Sequence, residues 1–304
     1  MRSVATTKKS IVATKKEKTM KKMILMMLAA VLLASCEKTI TPDGTAAGDV
    51  VTLTFQPVSH DLTRGTLPSA YFSKLNIQIF DAAGEKVFDK VKTQTKDDDD
   101  FCTLSVKLSD GTYTVVAVGH SSTISATIKS PTVCQFTASD GEKLTDTFCH
   151  CSTITISGGT QYTLPMYRAG AMVQFCLKDS VVPDDFAYFL MEYTGGSANF
   201  NPTTLEGITK STQSEKRIRN DLMIHQCYTF PYMATSGTLR MTCSALSSDG
   251  TVIRKRVFED VPVTRNRITT YTGHFFEPGD GQFTQSDFGF VVHADWDGED
   301  FYEF

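Results

Sequence analysis

Apolar residues recur at every second position in short runs from Val51 onward, and this alternation commits the chain to strands. VTLTF places Val51, Leu53 and Phe55 on one face, and KLNIQIFD does the same with Leu75, Ile77 and Ile79. CTLSVKL alternates Cys102, Leu104, Val106 and Leu108, and GTYTVVAVG and STITIS continue the pattern. Turn signals close these runs at Ala83-Gly84, at SDG 109–111 and at SGG 157–159. A second set follows Pro165: MVQFCLK, FAYFLMEY, TLRMTCSAL, TVIRKRVFED, NRITTYTGHFF and FGFVVHADW, with a hairpin signal in SSDG at 247–250. Only SEKRIRNDLMIHQ, 214–226, reads as a short helix. Many short strands without strand–helix alternation predict an all-β chain of β-sandwich type. Their number exceeds one compact sandwich. Two tandem domains are expected, 50–165 and 166–304, divided near Leu164–Ala169.

The segment before this body has a different character. KKMILMMLAAVLLASCEK, 21–38, runs from two lysines through an apolar stretch to Cys36. A helix from Met23 to Ser35 reaches only about 20 Å, short of the roughly 30 Å hydrocarbon core. The order basic, apolar, small is that of a secretory signal. Leu33-Ala34-Ser35-Cys36 resembles the bacterial lipobox, which implies that residues 1–35 are removed and Cys36 becomes the acylated N-terminus. A plain signal peptide ahead of a cysteine is the simpler alternative. Residues 1–19 precede a signal already complete from Met20, so translation is expected to start at Met20, with a basic extension as the alternative. Residues 36–49, small and polar, read as a flexible tether.

The leader distorts the charge. The whole chain has 30 Lys+Arg and 34 Asp+Glu. Residues 1–35 hold 8 basic and 1 acidic side chain, leaving 22 against 33, a formal −11. Such a body has no electrostatic case for binding nucleic acid or anionic headgroups. Membrane attachment would come from the acyl chains on Cys36, of which a stable hold needs at least two.

Seven cysteines follow Cys36: Cys102, Cys134, Cys149, Cys151, Cys176, Cys227 and Cys243. Most lie within alternating apolar runs, in a chain too large to need a disulfide framework, so they read as free buried thiols, with a single disulfide, which the sequence does not place, as the alternative. In FCHCST, a strand would turn Cys149 and Cys151 to one face and His150 to the other, so the three would not converge on a metal. Asp97–Asp100 lack the spacing and glycine turn of a calcium loop and read as a solvated turn. Asp184-Asp185 and Glu299-Asp300 read as solvated loop pairs. Neither Gly-x-Ser-x-Gly nor His-Glu-x-x-His occurs. The chain is therefore read as a non-enzyme with no catalytic residue, metal or cofactor.

Several segments in order carry a resemblance. YFSKLNIQIFDAAGEKV and LSDGTYTVVAVGHSS, then TDTFCHC, LPMYRAGAMVQFCLKD, MEYTGGSANFN, GTLRMTCSALSSDGTVIRKRVFEDVPVTRNRITTYTGHFF and VVHADW together resemble the Bacteroidales fimbrillin superfamily of type V pili. The likeness covers about residues 50–296 and leans to the FimB-type branch of fimbrial anchors and minor subunits. It implies two transthyretin-like, Greek-key sandwiches, a lipoprotein precursor at the outer membrane and cell surface, and a role in adhesion beside other fimbrial subunits. It also implies assembly by β-strand exchange, in which removal of one strand opens a groove that a neighbour's strand fills. Arg64-Gly65, in HDLTRGTLP, is the matching candidate for proteolytic processing, with VVTLTFQPV the strand at stake. The plain alternative is a surface arginine in a loop. Cutting there would sever the body from Cys36, so an anchor is expected to stay intact. The C-terminal FGFVVHADWDGEDFYEF is either a donor strand or the last strand of its own sandwich. A non-polymerising surface lipoprotein that binds glycans is the competing function, weakly supported by a single Trp296 and dispersed tyrosines.

Overall fold

The computed structural model describes residues 48–58, 67–137, 144–276 and 288–292. Their regular elements are strands, with one 3-10 turn at Pro68–Ala70. In the first half, β1 (Asp49–Pro57), β2 (Lys74–Phe80), β3 (Lys92–Thr95), β4 (Thr103–Leu108) and β5 (Gly111–His120) lead to a hairpin of β6 (Thr127–Ser130) and β7 (Val133–Gln135). Then come β8 (Phe148–Ile156) and β9 (Gln161–Arg168). The order β3-β2-β5-β8-β9-β1-β4 bends into two layers, because β8 and β9 pair only through Phe148–Arg168 and Cys149–Tyr167. One layer is β3-β2-β5-β8 and the other β9-β1-β4. Between them lies a core of alternating residues: Val51, Leu53 and Phe55 meet Leu75, Ile77, Ile79, Val115 and Ala117.

The second half repeats the plan. Its strands are β10 (Ala171–Leu177), β11 (Phe186–Thr194), β12 (Gly196–Ser197), β13 (Asn199–Asn201), β14 (Glu206–Gly207) and β15 (Gln213–Ile218). They continue with β16 (Ile224–Pro231), β17 (Ser236–Ser247), β18 (Val252–Thr264), β19 (Ile268–Gly273) and β20 (Phe288–Val292). Sheets β12-β16-β10-β19-β20 and β15-β11-β17-β18 enclose a second core around Phe175, Phe189, Phe258 and Tyr271. The short helix expected at 214–226 is instead β15, a turn and the start of β16. Its pattern misled because β15 turns Glu215, 2% exposed, inward and Ile218, 73% exposed, outward. The Asn220 side chain closes the turn, donating to the Ile224 carbonyl and accepting from its N–H.

A feature with no counterpart in the alternation is an antiparallel sheet, β14-β13-β7-β6, drawn from both halves. Cys134 of β7 pairs with Phe200 of β13. This sheet lies over a third core in which Phe80, Val116, Val118 and Cys149 meet Phe200 and Phe230. The rings of Phe200 and Phe230 stack with centroids 4.5 Å apart. Two glycines mark close approaches. A Cβ at Gly119 would fall 2.6 Å from the Phe72 ring, and one at Gly196 would fall 2.0 Å from Thr229 Oγ1. Arg168 ties the seam further: it donates to Asp146 from Nε at 2.8 Å and to Asn266 Oδ1 from Nη1 at 3.0 Å, and lies over Phe148.

Truncating Phe200 would leave a cavity in a cluster shared by both halves. Phe200→Ala is expected to lower stability by about 3–5 kcal/mol in urea denaturation. The transition should remain single, because the residue belongs to both sandwiches' packing.

Candidate functional site

The residues that the sequence marks for assembly are the first strand, the link after it and the last strand. β1 sits inside its sheet, with six antiparallel pairs to β4 on one side and six parallel pairs to β9 on the other. Val51, Leu53 and Phe55 are fully buried, while Thr54 and Gln56 face solvent. Burial of three such side chains favours the bound strand by about 1.5–3 kcal/mol each. Beyond the regular ladder, Val58 N–H donates to the Met166 carbonyl at 2.8 Å. At the other end a Cβ on Gly48 would meet the Leu108 carbonyl carbon at 2.7 Å, so the entering chain passes against β4. β1 is thus held by packing and two ladders, and a slot lined by core side chains is what it occupies. Cys36, Arg64 and Gly65 lie outside the described residues.

The second half has the same arrangement without a separable strand. β10 runs antiparallel to β16 and parallel to β19. β20 then pairs antiparallel with β19, from Thr269–Val292 to Gly273–Phe288. Of the two roles open to the C-terminal segment, Phe288–Val292 takes the second, as a strand of its own sandwich. Trp296, Glu299 and Asp300 fall outside the described residues.

The candidate chemical residues are separated by the pleat. Cys149 and Cys151 point into the third core. His150 points the other way, donating from Nδ1 to the Pro165 carbonyl at 2.8 Å and accepting at Nε2 from Ser152 Oγ at 2.8 Å. Among the described residues no three His, Cys, Asp or Glu side chains are grouped to hold a metal. Asp98 closes the β3–β4 turn, accepting from the Thr95 N–H at 2.6 Å. Gln94 ties the same turn through the Asp100 and Thr103 carbonyls, and Cys102 takes φ 66°. The seven thiols after Cys36 are free, five of them buried. Burial pushes the Cys102 thiol up to about 12 and raises Cys134, Cys149, Cys227 and Cys243 as well, so they stay protonated and unreactive at neutral pH.

Two buried histidines escaped the sequence reading, since nothing in their runs sets them apart from solvent-facing strand residues. His120 accepts from the Ser122 N–H at Nδ1, which leaves Nε2–H to donate to Asn76 Oδ1 at 2.7 Å. His225 stacks on Phe189 with centroids 4.6 Å apart, and neither ring nitrogen has a hydrogen-bond partner. Desolvation lowers both to about 4, helped by Lys74 beside His120 and Arg217 beside His225.

Residues 44–297 match the family of fimbrillin-A associated anchor proteins Mfa1 and Mfa2. The chain belongs to that family. Its role is accordingly fimbrial, its partners are fimbrial subunits and its place is the cell-surface fimbrium. A candidate polysaccharide-binding protein from Bacteroides thetaiotaomicron has the same fold, at 10% identity and TM-score 0.51, covering 74% of this chain and 92% of that one. The fimbrial anchor protein Mfa2 from Porphyromonas gingivalis is similar at 14% identity and TM-score 0.41, covering 81% and 95%. A fimbrial assembly protein from Parabacteroides distasonis gives 11% identity and TM-score 0.43, covering 81% and 99%. No curated protein matches in sequence. Among the described residues no helix is long and apolar enough to cross a membrane.

The histidines give the fold an acid limit. Their folded pKa near 4 lies below the ordinary 6.5, so the unfolded chain binds protons first as pH falls. Stability should decline from about pH 6.5 toward pH 4, by a few kcal/mol in all. His225→Leu, which removes two unpartnered nitrogens, is expected to raise the urea midpoint at pH 7 and to flatten this decline.

Proposed function

We propose that this protein is a lipid-anchored anchor or minor subunit of a type V-like pilus, held at the outer membrane through acylated Cys36. The observation that carries the reading is the family match across residues 44–297. The lipobox-like Leu33-Ala34-Ser35-Cys36 and the polar tether 36–49 support the attachment. The two domains that follow, expected as 50–165 and 166–304, divide in this reading near Leu164–Ala169, past the end of β9 at Arg168.

Partners join by β-strand exchange in this reading. It is supported by the position of β1, which could be replaced by another strand of like alternation without rebuilding the remaining sheet. Arg64-Gly65 lies in the link 59–66, between β1 and the body. In an anchor that link stays whole, because the route from Cys36 to the body runs through it. A structural rather than catalytic role is supported by thiols held protonated and by the family itself. The body's negative charge, 22 basic against 33 acidic groups, disfavours nucleic acid as a partner.

Cells producing Cys36→Ser should release the protein from the membrane fraction, while the native form stays there with its N-terminus at Cys36. Cells lacking the protein should shed their fimbriae when viewed by electron microscopy. Fimbriae that remain firmly attached would refute the anchor role. Recovery of the native protein mainly as a species beginning at Gly65 would make it a polymerising subunit instead.

A further inference from the structure

The solvent face of the sheet β15-β11-β17-β18 departs from the usual polar outer surface of an antiparallel sheet. Side chains opposite each other across its strands form rows. One row reads Ile218, Tyr188, Leu246 and Val252, apolar or aromatic on all four strands, with Tyr188 half-buried and Leu246 buried between the two open ends. Its two ends are the most open, with Ile218 73% and Val252 53% exposed. The next row reads Lys216, Leu190, Ser244 and Lys255, with a lysine at each edge. Lys216 Nζ lies 4.0 Å from the centroid of the Tyr188 ring. These two rows therefore carry a lysine on either flank of half-buried Tyr188 and Leu190 and of buried Leu246 and Ser244, and no carboxylate. The next row brings in Glu192, and farther along Arg240 and Glu259 pair at 2.9 Å.

We infer that this face is the docking surface for a fimbrial subunit that presents an apolar strip bordered by carboxylates. The inference rests on the anchor reading above and names the surface through which that anchor meets its neighbour. Charge selects the occupant. A second copy packed face to face would bring Lys216 and Lys255 into a shared interface with their own like charges, which is unfavourable. An acidic subunit would pair with them while burying Ile218 and Val252. This contact is distinct from exchange of β1, since it uses a sheet face in the second sandwich and breaks no ladder.

The test uses the full chain in fimbriated cells. A photo-crosslinking phenylalanine derivative at Ile218 is expected to give a covalent product with a fimbrial subunit, identified by mass. The same group at Met233, 69% exposed and away from the two rows, should give none. Lys216→Glu combined with Lys255→Glu is expected to reduce co-purified subunit at least tenfold, with membrane retention and the unfolding midpoint unchanged. Equal yields from Ile218 and Met233, products with lipid alone, or undiminished co-purification by the double variant would each overturn the assignment. If the native chain itself retains no fimbrial subunit, the anchor reading fails and this surface with it. If the native chain retains subunits and the double variant does too, only the surface is wrong.

Discussion

The sheet β3-β2-β5-β8 is buried on both sides in its middle, and that constraint organises the molecule. Leu75, Ile77, Ile79, Val115 and Ala117 fill the first core. On the reverse, Phe80, Val116, Val118 and Cys149 need a second cover. The first half supplies only part of it, the β6–β7 hairpin. The second supplies β13, β14 and the Phe230 ring. Neither half could leave the other without exposing this face to water, at roughly 25 cal/mol for each Å² of apolar surface. The polar side chains caught on that reverse face are hydrogen-bonded to one another or to backbone. Asn76 donates to Thr93 Oγ1 and accepts from His120 Nε2 and from the Ala126 N–H, while Gln78 donates to the Phe88 carbonyl.

Double burial was legible in one place. Val115-Val116-Ala117-Val118 in β5 is a continuous apolar run, the mark of a strand covered on both faces. The alternating runs around it, which identify strands correctly, draw attention to a single buried face. What no local pattern reveals is the partner for the second face. β13 and β14 are three and two residues long, in a stretch rich in Gly, Asn and Thr that reads as a loop. Their pairing depends on β7, more than sixty residues earlier.

The misread segment 214–226 has a related cause. β15 inverts the usual rule by directing Glu215 and Arg217 toward the interior. Glu215 accepts the Leu144 N–H at 3.0 Å and meets Arg217 at 3.4 Å, and Arg217 donates to the Gln226 carbonyl at 2.8 Å. Paired in this way with a cation and a backbone N–H, a buried carboxylate is tolerated. The same inversion leaves Ile218 in solvent. A pattern of charges alternating with one apolar residue is ambiguous between helix and strand until the interior partners are known. Cys149, His150 and Cys151 gave the opposite outcome, because the two-residue period of a strand alone decides where they point.

The position of β1 bears on how such a body carries load. If the chain is held at Cys36 as proposed, a pull on Gly48 directed along β1 would load the strand parallel to its axis. Its ladder bonds to β4 and β9 lie across that direction, so they resist together in shear rather than opening one at a time. The fully buried Val51, Leu53 and Phe55 lock the register, since sliding by one residue would turn all three to the wrong face. Force can therefore pass from β1 to the body by two routes, the covalent link 59–66 and the non-covalent ladders. A break in the first would leave the second to hold alone, with β1 on the membrane side and everything from Leu67 onward on the other. Under the proposed anchoring, an intact covalent route would suit permanent attachment, and its release would open the same slot to a neighbour.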